Sequence, residues 1–208
     1  MCSIDGYTGQ HDFTIEQFGS LNSDRGPDGT HYYKSPELSI AHSLLAIQPN
    51  PSNLQQPVVS PTTGNVLAYN GEIFNAPGFD TQYLMEMLEL ADYRALNNDV
   101  HGMWAFVFYD RSKQTITMAR DHFGVKGLYY MEINNQLLFA STPKPLYAAL
   151  NAMNFKIHAN NYAQEYLKYA DTLTVVRIMA GTYGRIMIGS YTVRELPYNT
   201  LKDSALVR

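Results

Sequence analysis

The chain alternates short apolar segments with polar turns, and most of these segments follow the two-residue repeat of strands. They are rich in β-branched and aromatic residues, which favour strands over helices. The predicted strands are Ser3–Tyr7, Leu38–Ile47, Val66–Tyr69, Trp104–Tyr109, Thr115–Ala119, Leu128–Ile133, Leu137–Ala140, Leu173–Met179 and Tyr183–Ile188. Asn134-Asn135 predicts a hairpin turn, and Gly181 predicts the turn between the last two strands.

A helical repeat is clearest from Asp80 to about Leu96, with Asp80 at the position of an N-cap. Its apolar face consists of Tyr83, Leu84, Met87, Leu88 and Ala91. Shorter helices are predicted over Phe13–Leu21, Pro145–Ala152 and Asn161–Tyr169, and the proline-rich segment Gln48–Gly64 is predicted to be a loop. Many strands with few helices indicate an α+β fold in which helices cover packed sheets, here as a single domain over residues 1–208.

Composition and charge indicate which partners, cellular location and cofactors can be expected. Apolar residues make up 45% of the chain and charged residues 16%, enough for a core, and the formal net charge is −4. Because no basic stripe is present, neither nucleic acid nor a membrane surface is an expected partner. The sequence shows no signal peptide and no membrane-spanning run, so a cytoplasmic location is expected. The six histidines lack metal-ligand spacing and there is one cysteine, so we expect no metal, cofactor or disulfide.

The single cysteine stands at position 2, where its chemistry is unusual. Aminopeptidases normally remove a methionine that precedes so small a residue, which leaves Cys2 with a thiol and a free α-amine. That amine titrates near about 7.7–8.0, so part of it is an unprotonated base at neutral pH. It can take the thiol proton during attack on a carbonyl carbon. Taken alone, Cys2 fits better the interpretation of an ordinary cysteine in an N-terminal strand.

A series of further motifs follows Cys2 in a fixed order. They are Cys2-Ser3-Ile4, Arg25-Gly26-Pro27-Asp28-Gly29, Tyr69-Asn70-Gly71-Glu72-Ile73-Phe74-Asn75, Gly102-Met103-Trp104-Ala105-Phe106, Ala119-Arg120-Asp121-His122-Phe123-Gly124-Val125-Lys126 and Phe139-Ala140-Ser141. In order and spacing they resemble the glutaminase domain of class II glutamine amidotransferases, the asparagine synthetase branch in particular. The resemblance covers roughly residues 2 to 150 and, more weakly, 170 to 198.

The resemblance implies a four-layer αββα sandwich of the N-terminal-nucleophile type, with Cys2 as the nucleophile. It assigns the oxyanion hole to the Asn70 side chain and the Gly71 backbone N–H. A carboxamide and an unobstructed N–H are the two donors that a developing oxyanion requires. An Asn-Gly pair is also the commonest two-residue hairpin turn, and that is the competing interpretation of these residues.

The resemblance also places a substrate pocket around four further residues. Glu72 and Asp80 match the acidic residues that hold a substrate's α-ammonium group, and two carboxylates beside a cation form a charge-assisted site. The backbone of Ile47 and Gln48 falls where the family lines the pocket.

Other conspicuous side chains have structural interpretations. The family uses the Arg-Gly-Pro-Asp and Ala-Arg-Asp segments mainly as scaffold, which here involve Arg25, Arg120 and Asp121. The alternation of Trp104 and Phe106 predicts core positions, and His42 near the end of a strand is interpreted as a structural residue rather than a base.

The sequence departs from the family's pattern at one position of the pocket. Leu44 stands where the family carries the arginine that grips the α-carboxylate of the substrate. Loss of such a charged hydrogen bond costs about 1.5–3 kcal/mol, so glutamine is an uncertain substrate. Smaller departures are Ser3 for glycine, Gln82 for glutamate, Gly127 for proline and Thr142 for glutamate.

Two hypotheses follow for the function. The first is glutaminase-type amide hydrolysis through a Cys2 thioester. The chain lacks the Ser-Gly-Gly-x-Asp-Ser loop that binds pyrophosphate, so the released ammonia would pass to a separate synthetase or transferase subunit, or within a homo-oligomer. The second is a catalytically impaired binding or regulatory module of the same fold, with Leu44 as the sign of lost activity.

Overall fold

The computed structural model describes residues 1–47, 55–90, 99–153, 176–177, 182–187 and 194–197. Its strands are β1 Ser3–Thr8, β2 Gly29–Lys34, β3 Leu38–Leu44, β4 Val58–Val59, β5 Val66–Ile73, β6 Gly102–Asp110, β7 Thr115–Arg120, β8 Tyr129–Ile133, β9 Gln136–Ala140, β10 Val176–Arg177, β11 Thr182–Met187 and β12 Arg194–Pro197. Its helices are α1 Ile15–Ser20, α2 Asp80–Glu89 and α3 Pro143–Ala152, and a 3₁₀ turn spans Ser23–Arg25. No helix in these ranges is long and apolar enough to cross a membrane.

The strands form two antiparallel sheets packed face to face. The first, here called the β1 sheet, has the order β10-β8-β9-β1-β3-β2, and the second, the β5 sheet, has the order β12-β11-β7-β6-β5-β4. One apolar cluster lies between the sheets, with Ile4 and Ile40 from the first and Ala68 and Val107 from the second. Two further clusters lie under helices, one joining α1 and α3 to the β1 sheet and one joining α2 to the β5 sheet. The predicted αββα sandwich is therefore confirmed.

Strand β1 is buried on both faces because it lies between two of these clusters. Ile4 belongs to the cluster between the sheets, whereas Tyr7 belongs to the cluster beneath α1 and α3. Since side chains alternate along a strand, Cys2, Ile4 and Gly6 share the face between the sheets. Ser3, Asp5 and Tyr7 share the face beneath the helices.

The predicted strands agree with the structure in position but not always in extent. Strand β5 continues through Asn70-Gly71 to Ile73, and β3 ends at Leu44 rather than at Ile47. The hairpin turn at Asn134-Asn135 is confirmed, with φ values of 48° and 64°. Both residues therefore occupy the left-handed region that such a turn requires.

Several expectations for the secondary structure were wrong or lie outside the described residues. Strand β2 was not predicted, and β4 falls within the predicted loop. The N-cap of α2 is Phe79, so Asp80 is the first residue of that helix instead of its cap. The extension of α2 beyond residue 90 and the predicted helix Asn161–Tyr169 lie outside the described residues.

Candidate active site

Cys2 directly precedes β1, with its thiol held against the backbone of Leu45. The Leu45 N–H donates to Cys2 Sγ at 3.3 Å, and the thiol lies 3.7 Å from the Leu45 carbonyl oxygen. The side chain is half-buried. Because Ser3 pairs with Ser43 in the antiparallel register, the same register sets Cys2 opposite Leu44. An apolar side chain is therefore the cross-strand neighbour of the thiol.

The Arg-Gly-Pro-Asp segment supports this end of β1 and β3. Arg25 Nε donates to the Cys2 carbonyl oxygen at 3.3 Å, and the Asp28 N–H donates to the Leu44 carbonyl oxygen at 3.0 Å. A Cβ on Gly26 would lie 2.2 Å from the Ser43 carbonyl carbon, so only glycine allows the turn to pack this closely. The scaffold role expected for Arg25 agrees with these contacts.

Asn70 lies on β5, on the side of the β5 sheet that faces β1. It pairs with Ala105 and shares its strand face with Ala68, which belongs to the cluster between the sheets. The side chain is only 2% exposed, yet its Nδ2 has no hydrogen-bond partner among the described residues. A buried donor without a partner costs about 1–3 kcal/mol, and such a group in a folded protein calls for a specific explanation.

Gly71 has a steric reason to be glycine. A Cβ at this position would lie 2.4 Å from the Met103 carbonyl oxygen and 2.6 Å from Trp104 Cα. The residue pairs with Trp104 inside the ladder between β5 and β6, so the hairpin-turn interpretation of Asn70-Gly71 is wrong. Both a hairpin turn and this strand position favour glycine, but here the reason is the close approach of the β6 backbone.

The two acidic candidates converge on Tyr69, a residue that the motif series contained but that sequence reasoning did not single out. Asp80 Oδ2 accepts hydrogen bonds from the Tyr69 hydroxyl at 2.9 Å and from the Ile73 N–H at 3.3 Å. Burial raises the pKa of Tyr69, and the nearby Asp80, Glu72 and Cys2 raise it further. Asp80 therefore contacts the Tyr69 phenol directly, and Glu72 and Cys2 lie close enough to act on it electrostatically.

His42 connects the two sheets and is not placed to act as a base at neutral pH. Its Nε2 lies 2.9 Å from the Tyr69 carbonyl oxygen, while Nδ1 has no partner among the described residues. Burial lowers the pKa of His42 to about 4. The ring is therefore neutral near pH 7 and donates through Nε2 to the β5 strand, which agrees with the structural interpretation of this residue.

Asp121 and Arg120 build a rigid loop after β7, as the scaffold interpretation predicts. The buried Asp121 carboxylate accepts from four backbone N–H groups, those of Trp104, Phe123, Val125 and Lys126. Arg120 Nε donates to the Lys126 carbonyl oxygen at 2.5 Å. The loop holds Phe123 at 87% exposure and Val125 at 55%.

The remaining pocket candidates lie after β3. Ile47 is 71% exposed beyond the end of that strand, and Gln48 lies outside the described residues. Leu44 is the last residue of β3 and is partly buried.

Comparison with known proteins gives the family. The sequence model described as glutamine amidotransferase domain matches residues 1–196. Glutamine-hydrolyzing asparagine synthetase 1 of Bacillus subtilis (strain 168) is 30% identical over 192 residues, which cover 81% of this chain and 30% of that protein. Glutamine-hydrolyzing asparagine synthetase B of Escherichia coli (strain K12) is 30% identical over 167 residues, covering 70% of this chain and 30% of that protein.

Solved structures support the fold. Glutamine phosphoribosylpyrophosphate amidotransferase from B. subtilis, in complex with ADP and GMP, superimposes with a TM-score of 0.64 at 14% identity, over 95% of this chain and 49% of that chain. The structure of the allosteric regulatory enzyme of purine biosynthesis gives a TM-score of 0.67 at 16% identity, with the same coverage. The chain spans about half the length of these structures and 30% of the two synthetases. It belongs to the glutamine amidotransferase family, as a class II domain with the N-terminal-nucleophile fold.

Proposed function

We propose that this chain hydrolyses a primary carboxamide through Cys2 and releases ammonia. The observation that carries the proposal is the buried Asn70 side chain, whose Nδ2 has no hydrogen-bond partner among the described residues, on the sheet face toward the Cys2 strand. A preorganised donor without a ground-state partner is the arrangement that stabilises charge formed only in a transition state. Membership of the glutamine amidotransferase family supports the same chemistry.

The proposed reaction begins after Met1 is removed. The Cys2 α-amine takes the thiol proton as sulfur bonds to the amide carbon, and the carbonyl electrons move onto oxygen. Asn70 Nδ2 and the Gly71 N–H bind that oxyanion. When the C–N bond breaks, the protonated α-amine returns its proton to the leaving nitrogen, which departs as ammonia. Water then attacks the thioester with the same amine as base, releasing the acid and regenerating the thiol.

Glu72 and Asp80 are proposed to bind an amino group of the substrate. Both lie near the buried Tyr69, whose hydroxyl fixes one oxygen of Asp80. A carboxylate held in one orientation binds a cation at lower entropic cost than a mobile one. Tyr69 therefore supports the ammonium site by orienting Asp80. The backbone of Ile47 and Gln48 completes the proposed pocket.

Leu44 determines which amide fits best. Its place opposite Cys2 gives the pocket an apolar wall where the family's pattern supplies a cation for a carboxylate. A carboxylate beside Leu44 would lose hydration without a partner, which is costly. We propose that the preferred substrate carries an amine but no adjacent carboxylate, and that glutamine is hydrolysed weakly.

An ammonia-accepting partner is proposed at the end of the sandwich that holds the site. Phe74 follows β5 and Phe123 follows β7, and both lie where β6 begins, with exposures of 65% and 87%. The Phe74 N–H donates to the carbonyl oxygen of His101, the residue before β6, and Asp121 accepts from the Trp104 N–H of β6, so the segments that carry both phenylalanines are fixed to the start of β6. Exposed apolar side chains on a rigid loop suit a protein interface. The partner is a separate synthetase or transferase subunit, or a second copy of this chain, in the cytoplasm.

A second candidate function is favoured by Leu44 alone. In this alternative the chain binds an amine-bearing ligand at Glu72 and Asp80 without cleaving it. The two functions are separated by measuring ammonia release from glutamine and from its analogue without the α-carboxylate, using wild type and Cys2→Ala. Hydrolysis predicts release by the wild type alone, greater with the analogue. Binding of the analogue by both proteins, with no release by either, supports the non-catalytic alternative.

A further inference from the structure

A chain of three polar residues, two of them buried and the third partly buried, lies behind Cys2 on the helix-covered face of β1. Asp5 is fully buried, and its Oδ1 accepts a 2.6 Å hydrogen bond from Asn22 Nδ2. Asn22 Oδ1 accepts in turn from Thr142 Oγ1 at 2.6 Å. Thr142 is the N-cap residue of α3, so the chain links β1, the segment after α1 and the start of α3.

The cluster is costly to bury. Desolvation raises the pKa of Asp5 to about 7, an effect that the Asn22 hydrogen bond only partly offsets. Ser3 lies close enough to lower the pKa of Asp5, yet neither Asp5 Oδ2 nor Ser3 Oγ makes a hydrogen bond of standard geometry with a described residue. Apolar side chains of similar volume would fill such a space at equal or lower cost in stability. Stability alone therefore does not explain the cluster.

The cluster connects through Asn22 to Arg25, the residue whose side chain holds the backbone of Cys2. Asn22 directly precedes the 3₁₀ turn, and the Arg25 N–H donates to the Asn22 carbonyl oxygen at 3.0 Å. The Arg25 side chain then donates to the Cys2 carbonyl oxygen. Two cross-links thus join β1 to the same short segment, one from Asp5 to Asn22 and one from Cys2 to Arg25. Because Asn22 and Arg25 belong to one short segment, the Asp5–Asn22 hydrogen bond fixes the position from which Arg25 can reach the Cys2 carbonyl oxygen.

We propose that Asp5, Asn22 and Thr142 are positioning residues for Cys2, and that they act through Arg25. The proposal rests on the proposed function in so far as Cys2 is the nucleophile. With Asn22 clamped between Asp5 and Thr142, the turn presents Arg25 to the Cys2 carbonyl in one place. Without the clamp the turn shifts, and the start of β1 loses its tie. Displacement of a reacting group by about 1 Å can cost on the order of a hundredfold in rate.

The test uses Cys2 as its own reporter, because it is the only cysteine in the sequence. The apolar variant Asp5→Leu/Asn22→Leu removes the hydrogen bonds that hold Asn22 between Asp5 and Thr142. The variant Asp5→Asn keeps an acceptor for Asn22. The control Tyr7→Phe removes a hydrogen bond from the same face of β1 without touching Arg25. Each is labelled with iodoacetamide under conditions where the unfolded fraction is negligible. We expect labelling of the apolar variant at least about fivefold faster than wild type, and of the other two within about twofold.

Turnover supplies the second readout. For the apolar variant, kcat should fall on the order of tenfold to a hundredfold while KM changes little, since the nucleophile and not the ammonium site is displaced. Asp5→Asn should restore most of the rate. Thr142→Val removes the outer link alone and should give a smaller change in the same direction, which keeps the test valid if the double variant does not fold.

Dependence on Arg25 is tested by a double-mutant cycle. In an Arg25→Met background, removal of the clamp should change the labelling rate little, because the tie to Cys2 is already absent. An equal acceleration in both backgrounds would overturn the proposal, and so would unchanged labelling of a folded apolar variant. If no amide is hydrolysed by wild type but labelling behaves as expected, the proposed function fails and the positioning network stands.

Discussion

The Tyr69 hydroxyl donates a 2.9 Å hydrogen bond to Asp80 Oδ2, joining the strand that carries Asn70 to the first residue of α2. Tyr69 and Asn70 are neighbours on β5 and therefore point to opposite faces of the sheet. One residue orients the proposed ammonium site and the next supplies the proposed oxyanion donor. The two halves of the site thus depend on the same two positions of one strand.

Tyr69→Phe should weaken binding of the substrate amine while leaving the chemical step nearly intact. The variant removes one of two hydrogen bonds to Asp80 Oδ2, so the carboxylate becomes less well oriented. We expect KM to rise about tenfold, equivalent to about 1.4 kcal/mol, with kcat within about twofold. Tyr83→Phe, on α2 beside the same apolar cluster, is the matched control and should leave both constants unchanged. A fall in kcat at constant KM would instead place Tyr69 in the chemical step.

Asn70→Ala should lower kcat on the order of a hundredfold to a thousandfold. Asn70 Nδ2 has no hydrogen-bond partner among the described residues and is proposed to donate only to the oxyanion, so its loss should not weaken substrate binding. For the same reason the variant should unfold at the same or a higher denaturant concentration than wild type, because a buried unpaired donor has been removed. Steady-state kinetics and urea denaturation check the two expectations. A large rise in KM with kcat unchanged would show that Asn70 binds the ground state.

Leu44→Arg should reverse the proposed substrate preference. The new cation lies opposite Cys2 and can pair with a carboxylate, so KM for glutamine should fall about tenfold or more. For the analogue without a carboxylate the cation has no counter-ion, and KM should rise. Leu44→Met, which keeps the wall apolar, is the control and should behave as wild type. Improvement with both substrates would contradict the proposed role of Leu44.

Asp5 should make the stability of the fold fall between about pH 4 and pH 7. Its pKa rises from 3.8 to about 7 on folding, so the native state binds the proton more tightly than the unfolded state. The free energy of unfolding therefore decreases as pH rises through this window, with a limiting change of about 4 kcal/mol. His42 has a lowered pKa, so its contribution to the free energy of unfolding increases as pH rises. The effect of Asp5 must therefore be measured as the difference in stability between wild type and a variant that keeps His42.

Asp5→Asn provides that difference, since it leaves His42 in place. Relative to this variant, wild type should lose stability steadily between about pH 4 and pH 7 in urea titrations, and no further above pH 8. Parallel curves for the two proteins would mean that Asp5 does not titrate with a raised pKa in the folded state.

The sequence predicts the layers of the fold well, because most strands lie in a core and show an apolar repeat that tertiary contacts reinforce. Strand β2 was missed because it lies at the edge of its sheet, where Thr30, Tyr32 and Lys34 are not buried. At Asn70-Gly71 the local turn signal is overridden by pairing with Ala105 and Trp104. Only the whole series of motifs, and not the dipeptide, pointed to the correct structure.

The polar cluster behind Cys2 could not be predicted from local patterns. Ser3 and Thr142 appear in the sequence as unrelated departures from the family's pattern, but Thr142 donates to Asn22 and Ser3 lies beside Asp5. Thr142 and Asn22 are 120 residues apart in the chain, and no periodicity carries information over that distance. Tyr69 was overlooked for a different reason, because its role depends on where α2 packs against β5.

The central claim, that removal of Met1 makes Cys2 the N-terminal nucleophile of an amide-binding pocket, is tested most directly by intact mass after treatment with a diazo-ketone analogue of the amide substrate. Wild-type protein should lack the mass of Met1 and gain one adduct, located at Cys2, and a saturating amide substrate should slow its formation. Cys2→Ala should remain unmodified. Retention of Met1, or a folded protein whose Cys2 does not react, would contradict the account.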